Sequence, residues 1–354
     1  MVGKKLSITL LVLFLFVFSF GGIFYILTKQ FLFEGADVVK KEVIYEVPVG
    51  KPFPQVAQDL ESLGLLKNAK AFALYARITR SIPKVKAGEY RFFTTMTPRQ
   101  VMQVLTSGVS IRRVITIPEG YSVFEIAELL EQGGFAKKDE VLNLIFDQKF
   151  VRQLTGQPLS SLEGYLFPDS YQFTRYTKTE KILETMVSQF KKNFAEIQPP
   201  YPFNWTAHQV VTLASIIEKE TGAEYERPVI SSVFHNRIKK RMRLQTDPTV
   251  IYANALKDKK ITINIKGSDL RTDHPYNTYT RAGLPPGPIA NPGIEALKAA
   301  VSPEESEYLF FVSRNDGTHI FSKTYQEHNS AVDRFQRDRN ARKGKSWRDL
   351  DKNK

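Results

Sequence analysis

Residues 213 to 222 read LASIIEKETG, an apolar run that ends on two glutamates one residue apart, Glu218 and Glu220. A carboxyl group beside apolar side chains is disfavoured as an anion, so its pKa moves up and it can serve as a general acid near neutrality. Both glutamates fall in the last turn of a predicted helix, where free backbone carbonyls carry partial negative charge and cations are preferred. Residues that break a local rule in this way are a hint of function. The competing reading is a pair of solvated boundary glutamates whose charge Lys219 partly offsets.

The helix itself is legible. Thr206 followed by Gln209 forms a capping box at its start, and Gly222 supplies a left-handed residue to end it. At about 100° per residue, Val210, Leu213, Ala214 and Ile217 make the buried stripe and Lys219 points away, which puts Glu218 and Glu220 on opposite shoulders. Glu218 neighbours the small Ala214, whereas Glu220 neighbours Leu213 and Ile216, so space for a ligand favours Glu218. Glu220 keeps a smaller role, as surface charge or as a neighbour that helps hold Glu218 protonated.

Other chemistries find little support. The chain has no cysteine, hence no thiolate site and no disulfide. It contains no Gly-rich phosphate loop, no H-E-x-x-H and no G-x-S-x-G. His208, His235, His274, His319 and His328 show no i, i+4 pairing, so no metal is expected, and each reads as a surface or capping residue. No cofactor is expected either. Downstream, Pro228 to Lys240 is a helix whose basic end (RIKKRMR) matches the charge of a helix C-terminus. In LQTDPTV, Asp247 precedes a proline and reads as a cap sooner than a base. YNTY then precedes GLPPGPIANPG, which is irregular because its prolines fix φ and remove donors. That rigid loop beside two tyrosines suits a groove wall, and Asn291 with Pro292 is read as starting a helix.

The elements before this helix are organised by a repeat. Val47-Pro48-Val49-Gly50 is matched by Ile117-Pro118-Glu119-Gly120, and the correspondence continues without a gap through Phe53 and Val123, Val56 and Ile126, Ala57 and Ala127, Leu60 and Leu130, Gly64 and Gly134, Leu65 and Phe135, and Lys67 and Lys137. Each copy reads as strand, turn, amphipathic helix and second helix, Ala69 to Ile78 in the first and Lys138 to Phe146 in the second. The first copy adds a strand (KAGEYRFF) and a helix opened by Thr97 and Pro98. This pattern resembles LysM modules, which bind N-acetylglucosamine-containing glycans. A duplicate that only packs, without a ligand, is the equal alternative.

At 354 residues, the chain suggests two or three domains. Leu6 to Leu27 holds no charged residue and is about the ~20 residues a spanning helix needs. It lacks an A-x-A-like cleavage site, which predicts an uncleaved anchor with its short leading segment in the cytoplasm. The net charge of +13 points to an anionic partner. Nucleic acid is disfavoured, because the basic residues do not interleave with aromatics.

Five stretches together, EGYLFPDSY at 163 to 171, LASIIEKETG, LQTDPTV at 244 to 250, YNTYTRAGLPPGPIANPG at 276 to 293 and FSKTYQEH at 321 to 328, closely resemble the endolytic murein transglycosylase family (MltG or YceG-like). The resemblance implies an α+β chain in four parts. These are a cytoplasmic tip and transmembrane anchor at 1–30, a LysM-like βααβ repeat subdomain at 40–155, a mixed α/β catalytic domain at 156–332 and a basic tail at 333–354. It implies a single pass through a cell inner membrane with the bulk periplasmic, and peptidoglycan strands and their synthases as partners. It also implies Glu218 as the catalytic acid in cleaving the β-1,4 bond from N-acetylmuramic acid to N-acetylglucosamine with closure of a 1,6-anhydro ring. Gln245, Asp247, Tyr276, Asn277, Tyr279 and Glu163 are the candidates for binding the glycan. A muramidase-type hydrolase and a non-catalytic glycan-binding scaffold are the alternatives.

Overall fold

The computed structural model describes Lys29 and residues 31–337. The predicted span at Leu6 to Leu27 and the tail beyond Arg337 lie outside the described residues, and no described helix is long and apolar enough to cross a membrane. The described chain is mixed α and β, with helices predominating and three two-stranded sheets among the described residues. It divides into two compact units, one running to Arg113 and taking in Phe173–Tyr176, the other comprising Val114–Gln172 and the chain from Thr177 on.

The first unit contains β1 (Glu42–Val47), α1 (Phe53–Ser62), α2 (Ala69–Ile78), β2 (Gly88–Phe93) and α3 (Pro98–Ser107). β1 and β2 are antiparallel, with Glu42 opposite Phe93 and Val47 opposite Gly88. Alternation along β1 turns Tyr45 and Val47 inward, where they meet Val56 and Leu60 of α1, Phe72 of α2, and Phe92 and Leu105. The caps fall where the sequence puts them. The Asn68 side chain accepts from Ala71 N, and Thr97 with Gln100 forms a capping box ahead of Pro98.

The second unit contains β3 (Arg113–Thr116), α4 (Val123–Gln132), α5 (Lys138–Ile145), α6 (Gln148–Thr155), β4 (Ser170–Phe173), α7 (Thr179–Phe194), α8 (Ala207–Glu220), α9 (Arg227–Lys239), α10 (Asp247–Asp258), α11 (Ile294–Val301), β5 (Phe310–Ser313), β6 (His319–Ser322) and α12 (Tyr325–Val332). β3 pairs with β4, and β5 is antiparallel to β6. α8 runs through the middle, packed on α9, α10 and α11, and every residue from Val210 to Ile217 is buried. The apolar stripe predicted from periodicity is therefore only part of its contact surface.

The repeat is real at the level of backbone. Gly50 and Gly120 take φ of +77° and +74°, Gly64 and Gly134 both +70°, and Leu65 N and Phe135 N donate to Leu60 O and Leu130 O at 2.8 and 2.9 Å. Only glycine holds such φ without strain, which is why it recurs at both positions. The sequence grouped the two copies in one region. In the structure the first belongs to one unit and the second, β3 with α4 and α5, to the unit that contains α8.

Two local expectations change. α8 does not end on a left-handed Gly222: its cap is Thr221 in extended backbone (φ −142°), whose hydroxyl accepts from Ala223 N at 2.9 Å. The hydroxyl closes a turn on Ala223 N and carries the chain out of the helix without a left-handed residue. Nor does Asn291 start a helix. It is fully buried, accepts from Leu166 N at 2.8 Å and donates to Tyr121 O and Glu163 Oε1, while α11 begins at Ile294.

Gly164, in the EGYLFPDSY stretch, combines two constraints. Its φ is +84°, and a Cβ there would stand 2.5 Å from Pro288 Cγ and 2.9 Å from Val211 Cγ1. Gly164→Ala is expected to cost about 3 kcal/mol, from the left-handed backbone and from overpacking against a rigid proline. The midpoint of denaturant unfolding reads this directly.

Candidate active site

The last turn of α8 sends its two glutamates into different surroundings. Glu220 lines a cavity of about 370 Å³ whose other walls are Arg237 of α9, residues 244–247, Tyr279, Phe310 and Phe311 of β5, and Tyr325 and His328 of α12. The Thr246 hydroxyl donates to Glu220 Oε1. Burial pushes the Glu220 carboxyl up to about 7, with Asp247 adding to the rise and Thr246 and Arg237 opposing it.

The cavity walls hold one another. Tyr279 OH donates to Asp247 Oδ1 at 2.6 Å. Gln245 N and Thr246 N donate to Thr278 O and Thr278 Oγ1 at 3.2 and 3.1 Å, and the hydroxyls of Thr249 and Thr278 meet at 2.9 Å. The LQTDPTV and YNTY stretches are thus fastened side by side. Gln245 takes φ +49°, which for a residue with a side chain costs about 1–3 kcal/mol and persists where neighbours enforce it. Asp247 is the first residue of α10 rather than its cap. The cap position belongs to Thr246, whose hydroxyl serves Glu220 and leaves the helix without a side-chain cap bond. Arg237 is anchored by Nε to Leu309 O at 2.7 Å and Nη1 to Leu244 O at 2.5 Å, with its guanidinium 5.4 Å from the Phe310 ring centre. His328 stacks on Phe310, with 5.2 Å between the ring centres.

Glu218 sits on the opposite shoulder and is only 5 % exposed. Its Oε1 accepts from Arg227 Nη2 at 2.9 Å and its Oε2 from Gly293 N at 3.0 Å. Arg227 Nη2 also donates to Glu119 Oε2 at 3.2 Å, and Lys219 Nζ donates to Gly120 O at 3.0 Å. A Cβ on Gly120 would lie 3.4 Å from Glu218 Cγ. The room beside Ala214 is therefore taken by the turn of the second repeat copy. Burial raises the Glu218 pKa, and the Arg227 guanidinium and the Gly293 N–H pull it back down.

Of the residues predicted to bind substrate, Gln245, Asp247 and Tyr279 line the cavity with Glu220. Three others do not. Tyr276 is packed 5.1 Å from the Tyr252 ring, and burial pushes its hydroxyl up to about 12. Asn277 is 1 % exposed; its Nδ2 faces the carbonyls of Asp269, Leu270 and Thr272, and its Oδ1 accepts from Tyr279 N at 2.9 Å, so it shapes the turn that presents Tyr279. Glu163 is buried against Val123 N, at 3.1 and 3.2 Å, and Asn291 Nδ2, at 3.0 Å.

Burial pushes the Glu163 carboxyl from 4.5 up to about 8. A carboxyl raised in the folded state stabilises below its unfolded pKa and loses that contribution as pH climbs through the folded value. Stability should fall between pH 4.5 and about 8, and Glu163→Gln should flatten that part of the profile. Denaturant midpoints on either side of the window test this, and an unchanged slope in the variant would count against it.

Sequence reasoning passed over Thr246, Phe310 and Phe311, read Arg237 only as part of a basic helix end and His328 as a surface or capping residue, and the structure puts all five in the cavity wall. For Arg237 a signal existed: it follows Val233 and Phe234 by four and three residues, so it continues the apolar face of α9 and had to be buried. The strand that delivers Phe310 and Phe311 is too short for periodicity to reveal.

A half-buried carboxyl, a second carboxylate held by a phenol and an aromatic wall open on one cavity, a set of groups suited to carboxyl-based acid–base chemistry. The chain belongs to the YceG-like family, which it matches over residues 45–334. It is 34% identical over 312 residues to the endolytic murein transglycosylase of Bacillus subtilis, across 84% of this chain and 85% of that protein. It is 29% identical over 363 residues to the endolytic murein transglycosylase of Streptococcus pneumoniae D39, across 93% of this chain and 65% of that longer protein. The crystal structure of a yceG-like protein from Listeria monocytogenes aligns over 83% of this chain and 100% of its own, at 33% identity and a TM-score of 0.53.

Proposed function

We propose that this chain is an endolytic murein transglycosylase, cutting the β-1,4 bond from N-acetylmuramic acid to N-acetylglucosamine within peptidoglycan strands, and that Glu220 is its acid and base, with Glu218, the residue the family motif implies, as the alternative. The observation that carries the assignment is the Glu220 carboxyl lining the cavity with a pKa raised to about 7. Protonated Glu220 gives its proton to the glycosidic oxygen as the bond to C1 of the muramic acid breaks. The carboxylate left behind, steadied by Thr246 and Arg237, takes the proton from the C6 hydroxyl of the same sugar, and O6 closes on C1. One carboxyl group serves both steps and no water enters. The developing positive charge on the ring is stabilised by the Asp247 carboxylate, which Tyr279 orients.

Asp247 beside Glu220 also supports a second reading, a muramidase-type hydrolysis in which two carboxyl groups share the work. Mass analysis of digested peptidoglycan separates the two. Anhydromuramic ends are expected, reducing ends would move the assignment to hydrolysis, and no new ends would leave a glycan-binding scaffold. Since the acid must be protonated to start the reaction, turnover should fall as pH rises through about 7. A rate that climbs across that range would remove Glu220 from the acid's role.

The sequence adds three elements to this reading. Leu6 to Leu27 supports a single-pass anchor in the inner membrane, with a cytoplasmic N-terminus and the bulk of the chain in the periplasm. The strand, turn and two-helix order of the repeat supports a LysM-like glycan contact. Cutting nascent strands and so limiting their length would put the enzyme beside the peptidoglycan synthases.

A further inference from the structure

From Ser62 to Gly88 the chain carries six cations, Lys67, Lys70, Arg77, Arg80, Lys84 and Lys86, and no acidic residue. The same stretch exposes aliphatic side chains. Leu74 is 56 % and Ile78 72 % exposed, and Leu63 and Ile82 are exposed as well. α2 buries Ala69, Phe72 and Ala76 in the core of its unit, so it is apolar on two faces. Lys70, Leu74, Arg77 and Ile78, at spacings of four, three and one, form the outward one. Of the six cations only Lys67 makes an ion pair with a described residue, at 3.8 Å from Glu34. Exposed aliphatic groups gathered in one patch and rimmed by charge mark an interaction surface.

We infer that this face of the first unit, centred on Leu74 and Ile78, docks on an anionic phospholipid surface. Aliphatic side chains entering the headgroup boundary within a ring of Lys and Arg are how interfacial helices bind such bilayers. A glycan fits less well, since sugar rings pack on aromatic faces, and Tyr75, the nearest ring, is half-buried against Phe72. The inference rests on the proposed span at Leu6 to Leu27 only in that an anchor would hold the face close to a bilayer and raise its effective concentration there.

The absence of cysteine makes the test direct. The full chain, carrying either Ile78→Cys or, as an exposed control on α3, Gln103→Cys, is labelled with a polarity-sensitive fluorophore and reconstituted into vesicles of brominated lipid. These are either phosphatidylcholine alone or a mixture with phosphatidylglycerol. Quenching at position 78 should be about threefold stronger than at 103 in the anionic vesicles and nearly equal in the neutral ones, and the triple change Arg77→Glu, Arg80→Glu, Lys84→Glu should erase the difference. Flotation of the same samples reports the span independently. Chain that floats with equal quenching at the two positions overturns the docking face and leaves the anchor. Chain that neither floats nor is quenched overturns both. Quenching at 78 that is the same in neutral vesicles, or survives charge reversal, removes anionic lipid as the occupant.

Discussion

Glu220→Gln should lower the release of anhydromuramic ends by about 10³–10⁴-fold, the upper part of what a single general acid–base group contributes, because here the group acts in both steps. The fold should be kept. Glutamine still accepts the Thr246 hydroxyl, and the change removes a carboxylate that burial disfavours. Single-turnover digestion with mass detection of the ends gives the rate, and unfolding by denaturant gives the control. A variant within tenfold of the parent would dismiss Glu220 as the acid.

Glu218→Gln should do the reverse. Arg227 is 5 % exposed, and its Nε and Nη1 are buried without partners among the described residues, so its charge is balanced through Nη2 alone by Glu218 and the half-exposed Glu119. Removing one partner of a buried ion pair costs about 3 kcal/mol, which for a protein of this size corresponds to about 4 °C in the melting midpoint. Activity per folded molecule, assayed well below that midpoint, should stay within tenfold. If the midpoint holds and turnover collapses, the acid is Glu218, as its match to the family motif implied. The two variants therefore part in opposite directions on two instruments, and neither result depends on the other.

Helix phase put the two glutamates on opposite shoulders, and that was right. What phase could not say is which shoulder faces open space. A small residue at Ala214 leaves a gap only if nothing else fills it, and the filler, Glu119 with Gly120, lies about a hundred residues away in the chain. Whereas the caps read at Gly222 and Asp247 fall instead to Thr221 and Thr246, the helix starts at Thr97 and Thr206 and the repeat glycines were legible because their partners are within five residues. This is why the capping box at Thr206 and both repeat turns match the sequence reading. Asn291 was misread for the complementary reason. Its local signal was that of a helix start, but its amide joins Leu166, Tyr121 and Glu163, three positions that sequence spacing does not connect. Gln245, Asp247 and Tyr279 meet in one cavity because two short motifs are fastened to each other, whereas Phe310 and His328 reach it through β5 and α12, whose placement is purely tertiary.

The duplicated turn now has an asymmetric history written into it. Where the first copy has Val49, solvent-exposed, the second has Glu119, which engages Arg227 while its neighbour Gly120 receives the Lys219 ammonium. Two segments with the same backbone have ceased to be interchangeable parts. One presents its turn to solvent, and the other is a bracket under the last turn of α8, tied there by a guanidinium on one side and an ammonium on the other.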